Sequence, residues 1–233
     1  MLRVLLSLPM LVVGTLGLGI PSILAGLVDP RGELPWRLGR QWGRLLLESW
    51  GVRVVVRGGA PAPRGPVVYT ANHGSVLDIP VLFAHLPGNF RIVHKRSLYF
   101  VPLIGLYLYC CGHVGIDRGK AFRARKSLER AARRIAAGTS VAVFPEGTRS
   151  PDGSVRAFKK GSFVLAIRAG VPVVPVSLAG VKRVAPHGLL SLRPGELTMT
   201  LHAEVSTAGR AVDDAPALAE EVRGIVARGC AAA

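Results

Sequence analysis

Asn72-His73-Gly74-Ser75-Val76-Leu77-Asp78 directly follows a short apolar run at residues 67–70. This stretch decides the fold because it joins an extended segment to a helix and carries a histidine and a carboxylate. On one helix, a His and an Asp five residues apart would point about 140° away from each other, because each residue turns roughly 100°. The two side chains therefore meet only if His73 lies before the helix.

The flanking residues favour that arrangement. Residues 67–70 are typical of a short buried strand, Gly74 allows a sharp turn, and Ser75 is a good N-cap for an apolar helix that ends near residue 86. A carboxylate in the first turn of that helix can reach back to the imidazole. The alternative is a capping box formed by Ser75 and Asp78, with the histidine as an ordinary polar loop residue. The spacing alone does not separate the two interpretations.

The composition combines a strong positive charge with a high apolar content. Thirty Lys and Arg residues against fourteen Asp and Glu residues give a net charge of +16, and 49% of the residues are hydrophobic. This combination favours a membrane surface or an anionic lipid as partner. Zinc-finger, RRM and homeodomain patterns are absent from the sequence, so we expect no nucleic-acid partner.

The spacing of cysteines and histidines does not indicate a metal site. Cys110 and Cys111 are adjacent and Cys230 lies near the C-terminus, unlike the spaced frameworks of small secreted domains. We expect buried thiols in a reducing compartment. The histidines form no H-x-x-x-H pattern and the cysteines no C-x-x-C pattern, so we predict neither a structural metal nor a bound cofactor.

The N-terminal residues 4–28 are almost wholly apolar and long enough to span a bilayer. Pro9, Pro21 and several glycines argue against an uninterrupted helix. A cleaved signal peptide, a spanning helix and a broken hairpin in one leaflet are three interpretations. The first is weakened by the single Arg3 and by the lack of an A-x-A site before Ala25, so we treat the segment as part of the mature chain.

A basic segment with all three tryptophans follows the apolar run. The positive flank favours the cytoplasmic side of a membrane, and amphipathic indoles suit the headgroup level. We therefore predict that residues 1–50 form a membrane-anchoring helical segment, with an interfacial helix in its second half. The alternative is that Trp42, Leu46 and Trp50 form the core stripe of an ordinary helix. The basic residues and tryptophans are Arg31, Arg37, Arg40, Arg44, Trp36, Trp42 and Trp50.

From residue 51 onward, short β-branched runs alternate with helical patterns, as in an α/β domain with a largely parallel sheet. We predict one domain over residues 51–233. The prolines of residues 171–176 argue against a central place for that run in the sheet. Residues 98–110 are strongly apolar, as expected of buried core or of a cleft for an acyl chain. The predicted strands are 52–56, 67–70, 90–94, 113–116, 139–144 and 197–205, and the predicted helices are 75–86, 121–137, 161–169 and 215–228.

The helix predicted at residues 121–137 carries several cations away from its apolar stripe. Such a basic face is usually solvated, and contact with an anionic membrane is the alternative.

Polar clusters follow three of the predicted strands. They are residues 72–78, Asp117-Arg118, and residues 146–149. Ligands of open α/β sheets bind beyond the carboxyl ends of the strands, so clusters far apart in sequence can share one cleft.

Four blocks of the chain carry recognisable motifs. They are Asn72-His73 with Asp78, the run Gly112 to Arg118, the run Phe144 to Ser150, and the run Val171 to Val176. In this order they resemble the motifs of the 1-acylglycerol-3-phosphate acyltransferases, within the glycerophosphate acyltransferase superfamily. The resemblance implies an α/β fold whose mostly parallel, mixed sheet is flanked by helices. It also implies an N-terminal membrane-associated helical hairpin.

The resemblance implies that His73 is a general base. Transfer of an acyl group from a thioester to a hydroxyl needs a base near neutral pH, and histidine fits that requirement. Asp78 would orient the ring and stabilise the imidazolium, so the hydroxyl attacks the thioester directly. Ser75, at the predicted helix start, has no nucleophilic role.

A phosphate-bearing acceptor needs cations, and Arg118 and Arg149 match the family's phosphate-binding positions. Each arginine has an ordinary alternative, a salt bridge to its acidic neighbour Asp117 or Glu146. The remaining residues of the implied substrate-binding set are Lys95, Glu146, Gly147 and Thr148.

One position departs from the family pattern. Gly115 lies where the family usually has an aromatic or bulky residue. The departure would widen the local pocket and leave the identity of the acceptor more open.

The implied activity is transfer of a fatty acyl group from acyl-CoA or acyl-carrier protein to the sn-2 hydroxyl of lysophosphatidic acid. The product would be phosphatidic acid, made at the cytoplasmic face of the cell membrane, with membrane lipids and both substrates as partners. Another lysolipid, such as lyso-ornithine lipid, is an alternative acceptor. A lipid or thioester hydrolase is a second possibility, which the lack of a G-x-S-x-G motif disfavours. A non-catalytic membrane-binding module leaves the four blocks unexplained.

Overall fold

The computed structural model describes residues 2–58, 63–117, 121–186, 188 and 191–233. The helices in this part of the chain are α1 (Leu2–Val28), α2 (Glu33–Ser49), α3 (Asp78–His85), α4 (Ile104–Cys110), α5 (Ala121–Ala136), α6 (Gly161–Ala169), α7 (Val181–Val184) and α8 (Ala215–Ala231). The strands are β1 (Val52–Arg57), β2 (Val68–Ala71), β3 (Phe90–Lys95), β4 (Val114–Ile116), β5 (Ser140–Val143), β6 (Val173–Ala179) and β7 (Gly195–Leu201). A 3-10 turn, Arg96–Phe100, follows β3, and another, Val212–Asp214, precedes α8.

The strands form one seven-stranded sheet in the order β1-β7-β6-β2-β5-β3-β4. All neighbours are parallel except β6 and β7, which are antiparallel. The predicted class, a mostly parallel mixed sheet flanked by helices, is confirmed.

The two faces of the sheet are covered by different helices. Side chains of α2 and α3 join one core cluster, and side chains of α5, α6 and α8 join the other. The connection from β2 through α3 leads to β3, whereas the connection from β5 through α6 leads back to β6 on the other side of β2. The order of the strands therefore reverses between β2 and β5, which is where open α/β sheets bind their ligands.

The expectation that residues 171–176 lie outside the centre of the sheet was wrong. Strand β6 pairs with β2 on one side and with β7 on the other, and Pro175 lies opposite Thr70. Proline is tolerated there because the β7 ladder begins only at Val176. On that side of β6, the carbonyl of Pro175 accepts the N–H of His202, and the next bridge joins Val173 to Val205. The missing N–H of Pro175 thus falls in a gap of the ladder.

The apolar N-terminal run is one continuous helix, so the predicted interruption at its prolines and glycines was wrong. Glycines in α1 are sites of close approach. A Cβ at Gly26 would lie 2.4 Å from the carbonyl oxygen of Cys110, and one at Gly14 would lie 3.3 Å from Leu45. The two-helix arrangement exists, but α1 supplies the first helix and α2 the second. Residues 9–28 are long and apolar enough to cross a membrane, and 17% of that segment is buried in the protein.

The tryptophan stripe of α2 belongs to the core, so its interpretation as an interfacial stripe was wrong. Leu46 and Trp50 are 0% and 4% exposed. Trp42 packs edge-on against Phe83 and donates a hydrogen bond to Thr15 of α1. These side chains therefore fix the hairpin to the α/β core.

Residues 98–110 are largely exposed, not buried. Phe100, Leu103 and Tyr109 are 83%, 57% and 75% exposed. The 3-10 turn Arg96–Phe100 and α4 enclose an open apolar groove of about 380 Å³.

Candidate active site

His73 and Asp78 meet at the carboxyl end of the central strand β2. His73 lies in the loop after β2, and Asp78 is the first residue of α3. The Nδ1 atom of His73 lies 2.7 Å from Oδ2 of Asp78. The histidine thus precedes the helix, as the spacing of the two residues requires, and the carboxylate reaches back to it.

One carboxylate oxygen organises the whole turn. Oδ2 of Asp78 also accepts the backbone N–H groups of Gly74 and Ser75, at 2.8 and 2.9 Å. Asp78 is 0% exposed, and its Oδ1 forms no hydrogen bond with the described residues. Three donors on one oxygen fix the orientation of the carboxylate, so the imidazole is held by a rigid partner.

Ser75 does not cap α3, contrary to the prediction. The helix begins at Asp78, and its N-cap residue, Leu77, makes no side-chain cap. The hydroxyl of Ser75 accepts the N–H of Leu77 at 3.3 Å within the loop. The Asp78 carboxylate instead accepts N–H groups of the loop before the helix, so it fixes the loop and the histidine together.

The imidazole is packed as well as hydrogen-bonded. The ring of Phe144 stacks on His73 with centroids 4.1 Å apart and an interplanar angle of 18°. The side chain of His73 remains 15% exposed, so one edge faces the solvent. The sequence analysis gave Phe144 no role. The parallel pairing of β2 with β5 places Val143 opposite Thr70, and this register brings Phe144, the next residue, to the loop that carries His73.

Glu146 holds the backbone of the histidine. Its Oε1 accepts the N–H of His73 at 3.0 Å, and the carbonyl of His73 accepts the N–H of Ser150 at 2.7 Å. Glu146 is 4% exposed, and its burial raises the pKa of the carboxyl group, against the lowering effect of the His73 N–H. The glutamate predicted to bind substrate thus joins the β5 loop to the β2 loop.

Asn72 ties the loop to the other neighbour of β2. Its amide N–H₂ donates to the carbonyl of Leu178, and its Oδ1 accepts the N–H of the same residue, at 2.9 and 2.8 Å. Asn72 is 2% exposed. The side chain therefore acts like one more residue of sheet pairing, between β2 and β6.

The hydrogen bonds define what the histidine can do. In neutral His73 we assign the proton to Nδ1, because Asp78 is its acceptor. The Nε2 atom is then an unprotonated base on the side of the ring away from the carboxylate. An imidazole in this arrangement can remove a proton from a hydroxyl group and share the resulting positive charge with Asp78.

Lys95 lies at the same edge of the sheet as His73. Lys95 is exposed at the end of β3, opposite Ile116 at the end of β4. Because neighbouring strands are about 4.8 Å apart, the ends of β3 and β4 lie roughly 10 and 14 Å from the end of β2. Arg118 follows β4 and lies outside the described residues. The structure therefore brings Lys95 to the edge but not into contact with His73.

The remaining predicted residues lie in the loop after β5. Gly147 has φ +77°, a conformation that favours glycine, and its N–H donates to the carbonyl of Phe144. Thr148 and Arg149 are exposed. Among the ion pairs of the described residues, none joins Arg149 to Glu146, so the salt bridge considered as an alternative is not formed.

Gly115 does not widen a pocket, so that expectation was wrong. A Cβ there would lie 2.4 Å from the ring of Tyr99. The Tyr99 hydroxyl donates to the carbonyl of His113 at 2.9 Å and accepts the N–H of Gly115 at 3.2 Å. An aromatic ring from the preceding turn fills the space beside this glycine.

Comparison with known proteins places this geometry in a family. Residues 53–179 match the acyltransferase family model. A 1-acyl-sn-glycerol-3-phosphate acyltransferase of Chlamydomonas reinhardtii is 43% identical over 65% of this chain and 46% of its own length. The human 1-acyl-sn-glycerol-3-phosphate acyltransferase alpha is 35% identical over 75% of this chain and 62% of its own. The chain thus spans about half the length of the algal relative.

A solved structure covers nearly the whole chain. The crystal structure of the 1-acyl-sn-glycerophosphate (LPA) acyltransferase PlsC from Thermotoga maritima matches with a TM-score of 0.81 and 28% identity, over 98% of this chain and 94% of that one. The matched family segment begins in β1 and ends in β6, so it contains the His73–Asp78 pair and the strand ends around it. The chain belongs to the acyltransferase family.

Proposed function

We propose that this protein transfers a fatty acyl group from acyl-CoA or acyl-carrier protein to the sn-2 hydroxyl of lysophosphatidic acid, giving phosphatidic acid. The observation that carries the proposal is the 2.7 Å contact between His73 Nδ1 and a fully buried Asp78, in a chain of this family. The names of the algal and human relatives and of the Thermotoga structure support the same acceptor.

The proposed reaction needs no acyl-enzyme. Nε2 of His73 takes the proton of the acceptor hydroxyl as its oxygen attacks the thioester carbonyl carbon. The tetrahedral intermediate then expels the thiolate, which receives that proton from the imidazolium. Asp78 stabilises the imidazolium between the two steps, and Phe144 keeps the ring in its plane.

Cations at the same edge supply phosphate recognition in this proposal. Arg149 is exposed two residues beyond Gly147, whose φ is +77°. Arg118 and Lys95 follow the adjacent pair of strands β4 and β3. Guanidinium groups bind phosphate oxygens in pairs, so the two arginines are the preferred ligands, with the lysine as a further cation.

Residues 1–50 are proposed to hold the site at the cytoplasmic face of the cell membrane. The exposed face of α1 is apolar, and arginines follow its C-terminal end. Residues 51–233 would then form the catalytic domain. Such an arrangement lets a lipid acceptor approach from the bilayer while its head group meets the strand ends.

The test is an acyl-transfer assay with labelled acyl donor and lysophosphatidate. We expect His73→Ala to abolish formation of labelled phosphatidate. The matched control is His85→Ala, which removes a histidine at the far end of α3. Undiminished transfer by His73→Ala would exclude the proposed mechanism.

The same assay without acceptor separates transfer from hydrolysis. A transferase retains most of the labelled thioester when lysophosphatidate is omitted. Rapid release of free fatty acid by the wild type, lost in His73→Ala, would identify a hydrolase. Competition by lyso-ornithine lipid, which lacks the phosphate, would show whether the acceptor needs that group.

A further inference from the structure

Helix α5 carries four cations on one exposed face. Arg123, Lys126, Arg130 and Arg133 are all exposed, and at roughly 100° per residue they fall within an arc of about 80°. We call these four residues the basic stripe. It extends about 15 Å along the helix, at 1.5 Å per residue.

The basic stripe is not balanced by acidic residues. The one acidic residue of α5, Glu129, contacts Arg125 and Arg168 instead. Among the ion pairs of the described residues, none involves a member of the stripe. Like charges three or four positions apart on a helix destabilise it, whereas pairs of opposite charge stabilise it. The four cations of the stripe therefore lower the stability of α5.

An exposed aromatic side chain lies on the same face. Phe122, in the first turn of α5, is 69% exposed and falls beside the stripe. The buried side of α5 faces the sheet through Ala131 and Ile135. Aromatic residues and arginines are the side chains most enriched at protein interfaces, so this pair of features is typical of a docking surface.

The position of α5 in the fold favours contact with the acyl donor over contact with the membrane that would hold α1. The apolar hairpin packs through α2 on one face of the sheet, whereas α5 covers the other face. The basic stripe and the apolar helix α1 are therefore associated with opposite faces of the sheet. The N-terminal end of α5 follows β4, whose end is roughly 14 Å from that of β2. A thioester on a flexible arm can cover this distance to His73.

We propose that the basic stripe and Phe122 are the docking surface for an acidic acyl-carrier protein, which presents the acyl thioester to His73 on its flexible arm. The inference rests on the proposed acyltransferase function and specifies the donor. Charge complementarity supports it, because a row of uncompensated cations attracts and orients an acidic partner. Acyl-CoA carries its negative charges only on the phosphate groups at one end of the molecule, so its use should not depend on the whole stripe.

The test compares two donors with the same acyl chain. The variant Lys126→Gln/Arg130→Gln removes two charges from the stripe, and the matched control Arg53→Gln/Arg57→Gln removes two from β1, at the opposite edge of the sheet. We expect the stripe variant to lower kcat/KM for acyl-carrier protein by roughly tenfold, with acyl-CoA unaffected. Phe122→Ala should act in the same direction. The control should leave both donors unchanged.

Direct binding measurements test the docking surface independently of the proposed acyltransferase activity. Acyl-carrier protein is titrated into the full-length wild type and the stripe variant, and vesicles containing anionic lipid serve as a second ligand. If the stripe variant binds the carrier protein more weakly than the wild type does but binds the vesicles equally well, the proposed docking surface is supported. Equal binding of the carrier protein by both proteins overturns it, as does a selective loss of vesicle binding or an equal fall with both donors. A wild type that binds the carrier through the stripe but transfers no acyl group refutes the proposed function and not the docking surface.

Discussion

Replacing Asp78 by asparagine should separate the two functions of its carboxylate. In the wild type, Oδ2 accepts from His73, Gly74 and Ser75, and Oδ1 is buried without a hydrogen bond among the described residues. If the amide oxygen takes the place of Oδ2, the N–H₂ group is buried without an acceptor. If the amide is turned round, N–H₂ faces two backbone donors and drives the histidine proton from Nδ1 to Nε2. Neither orientation satisfies all the groups.

The expected losses follow from those two orientations. A buried unsatisfied donor costs about 1–3 kcal/mol, and each kcal/mol lowers the Tm of a chain of this size by roughly 2–4 °C. With the wrong tautomer and no negative charge beside the imidazolium, kcat should fall roughly 10⁴-fold. The assay measures initial rates of transfer of a labelled acyl group over a range of lysophosphatidate concentrations, with thermal unfolding followed by circular dichroism.

The control makes the same chemical change elsewhere. Asp213→Asn replaces an exposed carboxylate in the turn before α8 and should alter neither kcat nor Tm. A kcat of Asp78→Asn within tenfold of the wild-type value would refute the assignment of Asp78 as the partner of the base. A large loss of kcat with unchanged KM and a modest fall in Tm is the result that the geometry requires.

Three further predictions concern the surroundings of the pair. Because burial raises the pKa of Glu146, its ionised form opposes folding. As pH rises through and above the ordinary Glu pKa of 4.5, the free energy of unfolding of the wild type should therefore fall relative to that of Glu146→Gln. Denaturant titrations that give parallel pH profiles for the two proteins would contradict this. Arg149→Ala should raise KM for lysophosphatidate by roughly 10–100-fold with little change in kcat, because the phosphate loses one charge-assisted hydrogen-bond partner. An unchanged KM in steady-state kinetics would exclude the arginine as a ligand. Gly115→Ala places a Cβ 2.4 Å from the Tyr99 ring and should lower the free energy of unfolding by about 1–3 kcal/mol. In the same experiment Gly65→Ala should leave that free energy nearly unchanged, because nothing lies within 4 Å of its added Cβ.

The alternation of strands and helices could be predicted because each element carries its own local pattern. The sheet class followed from that alternation. The spacing of His73 and Asp78 showed that they could meet only if the histidine preceded the helix, and the strand-end clusters elsewhere in the chain favoured that arrangement. The predictions of the elements and of the turn at His73 needed only neighbouring residues. They succeeded where local geometry alone decides the structure.

The errors arose where distant residues decide the structure. Pro175 is accommodated in an interior strand because the partner strand leaves a gap there, and no feature near the proline shows this gap. Gly26 lies inside the continuous helix α1, where its lack of a Cβ allows the backbone of Cys110 to approach closely. Phe144 was overlooked as a support of the histidine because its position depends on the register of β2 with β5. Each of these features becomes visible only when two remote segments are paired.

The backbone around His73 is attached on several sides, and this has a consequence for how two unlike substrates meet. Asn72 joins the loop to β6, Glu146 and Ser150 join it to the β5 loop, and Asp78 joins it to α3. The entropy of positioning the base is thus lost once, when the chain folds, and not at each turnover. In the proposed reaction His73 is the stationary partner, so the lipid acceptor, which diffuses in two dimensions, and the thioester donor, which diffuses in three, each have to reach it independently. The order in which they arrive should then leave the position of the imidazole unchanged.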